Sequence, residues 1–175
     1  MRFTSSEEYG LRCLLRLGRE GPDGSLTIPE IGRAEGISTP YVAKIMRRLR
    51  RGGFVQSTRG KAGGYSLTQP VDKILVGDLL GLLGGRLFEP DFCERHSGIG
   101  STCANSTDCS IRPVWQSVQL VVDHMLNRIT LGDLLRNEQN MSSWVDNLVT
   151  LSATGRPVAN PPVQSAYLPK SNLTH

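Results

Sequence analysis

Long apolar runs are absent from this 175-residue sequence. No stretch approaches the ~20 residues that a membrane-spanning helix needs, so we expect no membrane partner. The first ten residues, MRFTSSEEYG, also lack the basic start and apolar stretch of a signal peptide. The sequence therefore predicts a cytoplasmic protein, and its 38% hydrophobic content is enough for a packed core.

Enzyme signatures are missing as well. No glycine-rich nucleotide loop follows a strand in a parallel-sheet pattern, and the three histidines show no triad-like arrangement with a cysteine. We therefore expect no enzymatic activity. The cysteines also lack the paired C-x2-C spacing that is usual in zinc fingers and ribbons.

Positive charge is concentrated in the first half of the chain. Residues 1–75 hold 13 Lys and Arg against 7 Asp and Glu, a net charge of +6, whereas residues 76–175 hold 7 against 9, a net charge of −2. Between residues 44 and 61 there is no acid, and the basic residues are Lys44, Arg47, Arg48, Arg50, Arg51, Arg59 and Lys61. Such a run fits either a solvated helix face or a nucleic-acid surface.

The first half of the chain predicts a winged helix-turn-helix. A helix is expected over 6–19, a second from Thr27 to Gly36, and a third from Ser38 or Thr39 to the glycines at 52–53. FVQSTRG and YSLTQP then predict two strands around a glycine-rich turn. The expected fold class is mainly α with a small β-hairpin wing.

The second half predicts a long amphipathic helix after a polar loop. Apolar residues recur at helical spacing over about 113–128. The expected organisation is therefore a winged-helix DNA-binding domain (1–84), a cysteine-bearing loop (85–112), a long helix with a C-terminal turn (113–140), and a flexible, proline-containing tail (141–175).

The position of the basic run favours DNA over a solvated face. It lies on the second helix of the candidate helix-turn-helix and continues into the wing, where basic groups meet phosphates. The candidate DNA-binding residues are Ser38, Thr39, Pro40 and Tyr41 at the start of that helix, Lys44, Arg47 and Arg48 along it, and Arg59 and Lys61 in the wing. Arg59 is placed to enter a minor groove.

Three of the four cysteines lie in one polar segment, CERHSGIGSTCANSTDC, residues 93–109. The fourth, Cys13, lies among leucines, which predicts a buried thiol that acts as a small apolar side chain. In a reducing compartment, close-set cysteines favour metal binding or redox chemistry. A zinc site, an iron–sulfur cluster and a thiol–disulfide switch all stay open, and the wide C-x9-C-x5-C spacing favours the cluster.

Five segments together resemble the Rrf2 family of bacterial winged-helix regulators. They are MRFTSSEEYGLRCLLRL, EIGRAEGISTPYVAKIMRRLRRGGFV, STRGKAGGYSLTQP, the cysteine loop and LNRITLGDLL, and they follow the family's order over about residues 1–140. The resemblance implies a homodimer that binds double-stranded operator DNA. It also implies that the long helix is a dimerisation helix, and that each cysteine loop holds an iron–sulfur cluster.

The metal ligands implied by this resemblance are Cys93, Cys103 and Cys109. The first gap between them is longer than is usual in the family. The IscR branch takes its fourth ligand from a histidine three residues after the last cysteine, but here that residue is Arg112, which cannot bind iron. In the nitric-oxide-sensing branch the fourth ligand is an acidic residue of the partner subunit, and Glu8 matches its position.

Two other interpretations accompany the ligand assignment. Glu8 also suits the first turn of a helix, where a carboxylate stabilises the helix dipole without any metal, and His96 is a rival ligand inside the loop. Because the histidine of the IscR branch is absent, the resemblance favours a 4Fe-4S over a 2Fe-2S cluster. Ala43 replaces the glutamate that tunes operator choice in that branch, so we expect one operator class.

The sequence thus predicts a homodimeric DNA-binding repressor. Its operator affinity would be switched by an iron–sulfur cluster that senses redox state, nitric oxide or iron. The alternative is a regulator of the same fold that lacks a cluster and uses the cysteines as a thiol redox switch or a zinc site.

Overall fold

The computed structural model describes residues 3–58, 63–136, 139 and 141–146. Its helices and strands, in chain order, are α1 (Ser5–Arg19), α2 (Ile28–Glu35), α3 (Thr39–Arg51), β1 (Val55–Thr58), β2 (Gly64–Leu67), α4 (Val76–Gly84), α5 (Phe92–Arg95), α6 (Ile111–Leu126) and α7 (Leu131–Leu134). Residues 141–146 are also helical. No helix in this part of the chain combines the length and hydropathy needed to cross a membrane.

The turn between α2 and α3 is fixed by local chemistry and by α1. Gly36 adopts φ 65°, the left-handed conformation that ends α2, and its N–H donates to the carbonyl of Gly32. From α1, Arg12 donates to the backbone oxygen of Glu35 and, at 3.1 Å from Nε, to the Glu35 carboxylate. The last turn of α2 is therefore held against α1, which sets the angle at which α3 leaves.

The wing is an antiparallel hairpin. Val55 of β1 pairs with Leu67 of β2, and Thr58 pairs with Gly64. Leu26 adds two backbone hydrogen bonds to Tyr65, at 3.0 and 2.8 Å, which fasten the hairpin to the chain before α2. Three helices followed by this hairpin form the winged helix-turn-helix that the sequence predicts.

The core lies between α1, α3 and α4. Its fully buried side chains include Leu14 and Leu17 of α1, Val42, Ile45, Met46 and Leu49 of α3, and Leu79 of α4. Cys13 is buried among them, as predicted, and burial raises the pKa of its thiol to about 12. A thiol that stays protonated at neutral pH is a poor nucleophile and a poor metal ligand.

The apolar residues of α6 form two adjoining stripes, one half-buried and one exposed. Val122, Met125 and Leu126 are half-buried, and Leu126 packs against a small cluster formed by Val76, Leu80 and Ile129. On the adjoining part of the same broad face Val114, Val118 and Val121 are 55%, 40% and 69% exposed. One stripe therefore anchors α6 to the rest of the chain, and a second stripe faces outward.

The segment after α7 returns to the same small cluster. Met141 and Trp144 pack against it, so the first residues of the expected tail contact the domain. The tail expected beyond residue 146 lies outside the described residues. α7 begins at Leu131 and is capped by Thr130, whose side chain and backbone exchange hydrogen bonds with Asp133 in a capping box.

Candidate functional site

The start of α3 presents short polar side chains at the surface. Ser38, Thr39 and Pro40 are exposed, and the Ser38 hydroxyl makes no capping hydrogen bond. Tyr41 is half-buried, with its ring edge-on to that of Tyr9 at a centroid distance of 5.6 Å. The backbone position of this helix end is therefore fixed by α1, while three side chains remain available to a ligand.

One face of α3 is basic and exposed. Lys44, Arg47 and Arg51 follow one another at spacings of three and four residues, and all three are exposed. This spacing places them on a single face, opposite the buried stripe that includes Val42 and Leu49. The arrangement can follow a phosphate backbone with several cations at once.

Arg48 lies at the edge of this face, four residues after Lys44, but its side chain is half-buried. Its guanidinium is directed into the protein, where Nη1 donates to the Ser6 hydroxyl at 3.0 Å and Nη2 donates to the carbonyl of Leu82 at 2.9 Å. Both terminal nitrogens of Arg48 are thus engaged within the chain, and its contact with DNA stays a prediction. Spacing alone does not reveal this orientation, because Arg48 is three residues from buried Ile45 but four residues from exposed Lys44.

The two wing residues assigned to DNA, Arg59 and Lys61, lie outside the described residues. The strands that lead to them are in place, since β1 ends at Thr58 and β2 begins at Gly64.

The first part of the cysteine loop is fastened to α6 by a polar cluster that the sequence did not reveal. Gln119 is buried, and its Oε1 accepts a hydrogen bond from the backbone N–H of Phe88 at 3.0 Å. Its Nε2 donates to Asp123 at 2.7 Å, and Asp123 also pairs with Arg86. Gln119 precedes half-buried Val122 and Leu126 by three and seven residues, a spacing that indicates an inward-facing position.

A short helix, α5, organises the residues around Cys93. The rings of Phe88 and Phe92 lie 5.1 Å apart, and His96 stacks on Phe92 at 4.2 Å. Nδ1 of His96 lies 2.7 Å from the carbonyl oxygen of Phe92. A carbonyl oxygen only accepts, so Nδ1 carries a proton, and Nε2 is the ring nitrogen left to bind a metal.

The second part of the loop holds the other two thiols. Arg112 donates to the carbonyl of Ser106 at 3.0 Å, which ties the segment between Cys103 and Cys109 to the first turn of α6. Arg112, which stands where the IscR branch has a histidine, therefore supports the loop by binding a backbone carbonyl of the loop. All three loop cysteines are free and partly exposed.

The side chains predicted to bind the cluster do not come together within the single chain. Among the residues that the structure describes, no three His, Cys, Asp or Glu side chains lie close enough to hold a metal ion. Glu8 lies in the first turn of α1 with an exposed side chain. The ligand set Cys93, Cys103, Cys109 and Glu8 thus remains a prediction.

Sequence comparison connects these features with known regulators. A family model described as Rrf2, an iron-dependent transcriptional regulator, matches residues 3–137. Protein rrf2 of Nitratidesulfovibrio vulgaris is 32% identical over 137 residues, which cover 78% of this chain and 89% of that protein. The HTH-type transcriptional regulator IscR of Photobacterium profundum is 30% identical over 155 residues, 87% of each chain.

The fold is shared with solved structures as well. CymR, the global cysteine regulator of B. subtilis, superposes with a TM-score of 0.59 at 24% identity, covering 77% of this chain and 96% of that one. The predictions of a winged-helix fold and of a DNA-binding regulator rather than an enzyme are thus confirmed. The chain belongs to the Rrf2 family of transcriptional regulators.

Proposed function

We propose that this protein is a homodimeric repressor, acting on operator DNA in the cytoplasm, whose affinity is switched by an iron–sulfur cluster. The observation that carries the proposal is the position of the three free thiols. They lie on one loop that joins α4, the last helix of the DNA-binding domain, to α6, which exposes an apolar stripe. A change in this loop can therefore act on both the DNA-binding unit and the subunit interface.

The donor set fits an iron–sulfur cluster by its chemistry. Cysteine thiolates are the ordinary ligands of such clusters, and the three loop cysteines are free and partly exposed. Cys93, Cys103 and Cys109 would supply three ligands, with Glu8 of the partner subunit as the fourth and His96 as its rival. When bound, the cluster supplies a centre that reacts with oxidants and nitric oxide; a 4Fe-4S form suits the absence of a histidine at position 112.

The apolar stripe of α6 supports the dimer. Val114, Val118 and Val121 recur every three to four residues on one face, a spacing that suits packing against a second helix. Pairing of two α6 helices would bring the two α3 helices into a fixed separation. DNA half-sites about one helical turn apart would then be bound together.

DNA recognition follows from α3. Ser38, Thr39 and Pro40 are exposed at its N-terminal end, where side chains of a recognition helix reach base edges. Lys44 and Arg47 lie along the exposed face, where they would bind phosphates. Arg59 and Lys61 would extend the contact from the wing.

A thiol redox switch or a zinc site is the second candidate function, because the thiols are free and do not converge in the described residues. Anaerobic purification of the parent and of Cys103→Ala, with visible absorption and iron and sulfide analysis, separates the candidates. A cluster gives a brown protein with matching iron and sulfide, and the colour disappears in Cys103→Ala. A colourless parent without iron, even after reconstitution, would favour the thiol or zinc switch.

A further inference from the structure

Arg48 joins three helices at one point. It belongs to α3, and its two terminal nitrogens bind Ser6 of α1 at 3.0 Å and the carbonyl of Leu82 in α4 at 2.9 Å. Its neighbour Arg47 is exposed. The two adjacent arginines therefore have different surroundings, although the sequence presents them as parts of one basic run.

The contact with α4 lies just before the cysteine loop. Leu82 is in the last turn of α4, where carbonyl groups have no partner within the helix, so the guanidinium satisfies one of them and favours the helix dipole. α4 ends at Gly84, and Gly85, at φ 81°, turns the chain into the loop. Arg48 thus holds the end of the helix from which the loop departs.

The contact with α1 lies beside the proposed fourth ligand. Ser6 is two residues before Glu8, in the first turn of α1. The two helix ends also touch each other, because a Cβ added at Gly84 would overlap the Glu7 carboxylate. Arg48 therefore contacts both segments that lead to the proposed cluster ligands: the start of α1 and the end of α4.

We propose that Arg48 is a positioning residue that transmits the state of the cysteine loop to the recognition helix. The proposal rests on the proposed function, since it explains how cluster binding changes DNA affinity. A guanidinium is a rigid, planar fork that binds two acceptors in a fixed geometry, so displacement of Ser6 or Leu82 pulls on α3. Lys44 lies one helical turn away on the same helix, and its position against a phosphate shifts with that displacement.

The test compares Arg48→Met with Arg47→Met. Methionine keeps an unbranched stem and a good helix propensity but removes the charge and the donors. Operator affinity is measured for cluster-loaded and cluster-free protein over a range of salt concentrations, on an operator selected from random DNA with the parent. We expect Arg47→Met to weaken both forms by the same factor and to reduce the salt slope by about 1.

Arg48→Met should behave differently. We expect its salt slope to equal that of the parent, while the ratio of affinities between the two cluster states falls from roughly 5–150-fold to below about twofold. Arg48→Lys keeps the charge but replaces the rigid planar fork by a single flexible ammonium, so its ratio should also fall. An unchanged ratio in Arg48→Met would overturn the proposal. Equal weakening of both forms with a reduced slope would also overturn it, because Arg48 would then be a phosphate contact.

Ser6→Ala tests the same coupling if the variants of Arg48 fail to fold. It removes one acceptor and leaves the Leu82 contact, so we expect a folded protein whose affinity ratio is reduced. A ratio equal to that of the parent would contradict the role of the Ser6 contact in coupling.

The same set of proteins separates this inference from the proposed function. A parent whose two cluster states bind the operator equally contradicts the proposed switch itself. The Arg48 link is then judged by amide hydrogen exchange in cluster-free protein. Faster exchange at both the start of α1 and the end of α4 in Arg48→Met, but not in Arg47→Met, supports the link, and unchanged exchange at both places overturns it.

Discussion

The side chain of Gln119 in α6 accepts a hydrogen bond of 3.0 Å from the backbone N–H of Phe88, at the beginning of the cysteine loop. The amide group of Gln119 is thereby shared between the loop and Asp123, which it contacts at 2.7 Å. The loop therefore moves with α6 at this point. Helix α6, which we propose pairs with α6 of the second subunit, therefore also holds the beginning of the cysteine loop.

Replacement of Gln119 by alanine should loosen the start of the loop. The part-buried N–H of Phe88 loses its partner, which costs at most about 1–3 kcal/mol. We expect lower stability in urea and faster hydrogen exchange over residues 86–96. Gln116→Ala, an exposed position of the same helix, is the control. Equal behaviour of the two variants would show that the Gln119 contact does not hold the loop.

The four thiols should differ sharply in reactivity. Cys13 is buried with a pKa of about 12, mainly because burial disfavours the thiolate and secondarily because of the charge on Glu35. The loop cysteines are partly exposed. Alkylation of native, cluster-free protein followed by mass spectrometry should therefore modify Cys93, Cys103 and Cys109, and should reach Cys13 only in denaturant. Labelling of Cys13 at the rate of the other three would contradict its burial.

The same pKa shift makes a prediction for stability at high pH. The folded state keeps the Cys13 proton up to a pKa of about 12, whereas the unfolded thiol loses it near its ordinary pKa of 9.0. The folded state thus binds more protons in this window, so the contribution to stability is full below the unfolded pKa and falls as pH rises. Relative to Cys13→Ala, the parent should lose up to about 1.4 kcal/mol per pH unit between these values, measured by denaturant unfolding.

Lys44 should contribute to DNA affinity through phosphate contact. Its removal in Lys44→Ala should weaken specific and non-specific DNA binding by similar factors and should lower the salt slope by about 1. Arg19→Ala removes an exposed cation at the end of α1, outside the proposed surface, and should leave the slope unchanged. Fluorescence anisotropy at several salt concentrations measures both quantities. An equal salt slope for Lys44→Ala and the parent would show that Lys44 does not contact a phosphate.

The outward stripe of α6 should be the subunit interface. Val121 is 69% exposed in the single chain, and Val121→Glu would place a charge in the centre of a helix pair. We expect this variant to sediment as a monomer and to lose operator affinity. Gln116→Glu adds the same charge to another face of the helix and should remain dimeric. Dimers of unchanged stability in Val121→Glu would place the interface elsewhere.

The helices and the wing could be predicted from sequence because local signals agree with the fold. Gly36 and the residues from Ser38 onward specify a turn and a new helix, and the structure places α3 at Thr39–Arg51. The start of α6 was expected at Pro113, whereas the helix begins at Ile111, since proline fits the first turn of a helix as well as its first residue.

The functional side chains were less predictable because their direction depends on distant partners. The basic run did not distinguish Arg48 from Arg47, since the acceptors of Arg48 lie 42 and 34 residues away in the chain, at Ser6 and Leu82. The role of Gln119 likewise depends on Phe88, 31 residues earlier. Spacing indicates which face of a helix a residue occupies, but it does not identify the partner on that face.

The most direct test is the operator affinity of one anaerobic preparation before and after removal of its cluster. The operator is selected from random DNA, and Cys103→Ala serves as the control that cannot be loaded. The account predicts that the affinity of the parent changes by at least about fivefold on cluster loss, while that of Cys103→Ala stays constant through the same treatment. An iron- and sulfide-loaded parent that binds the operator equally well in both states would contradict it.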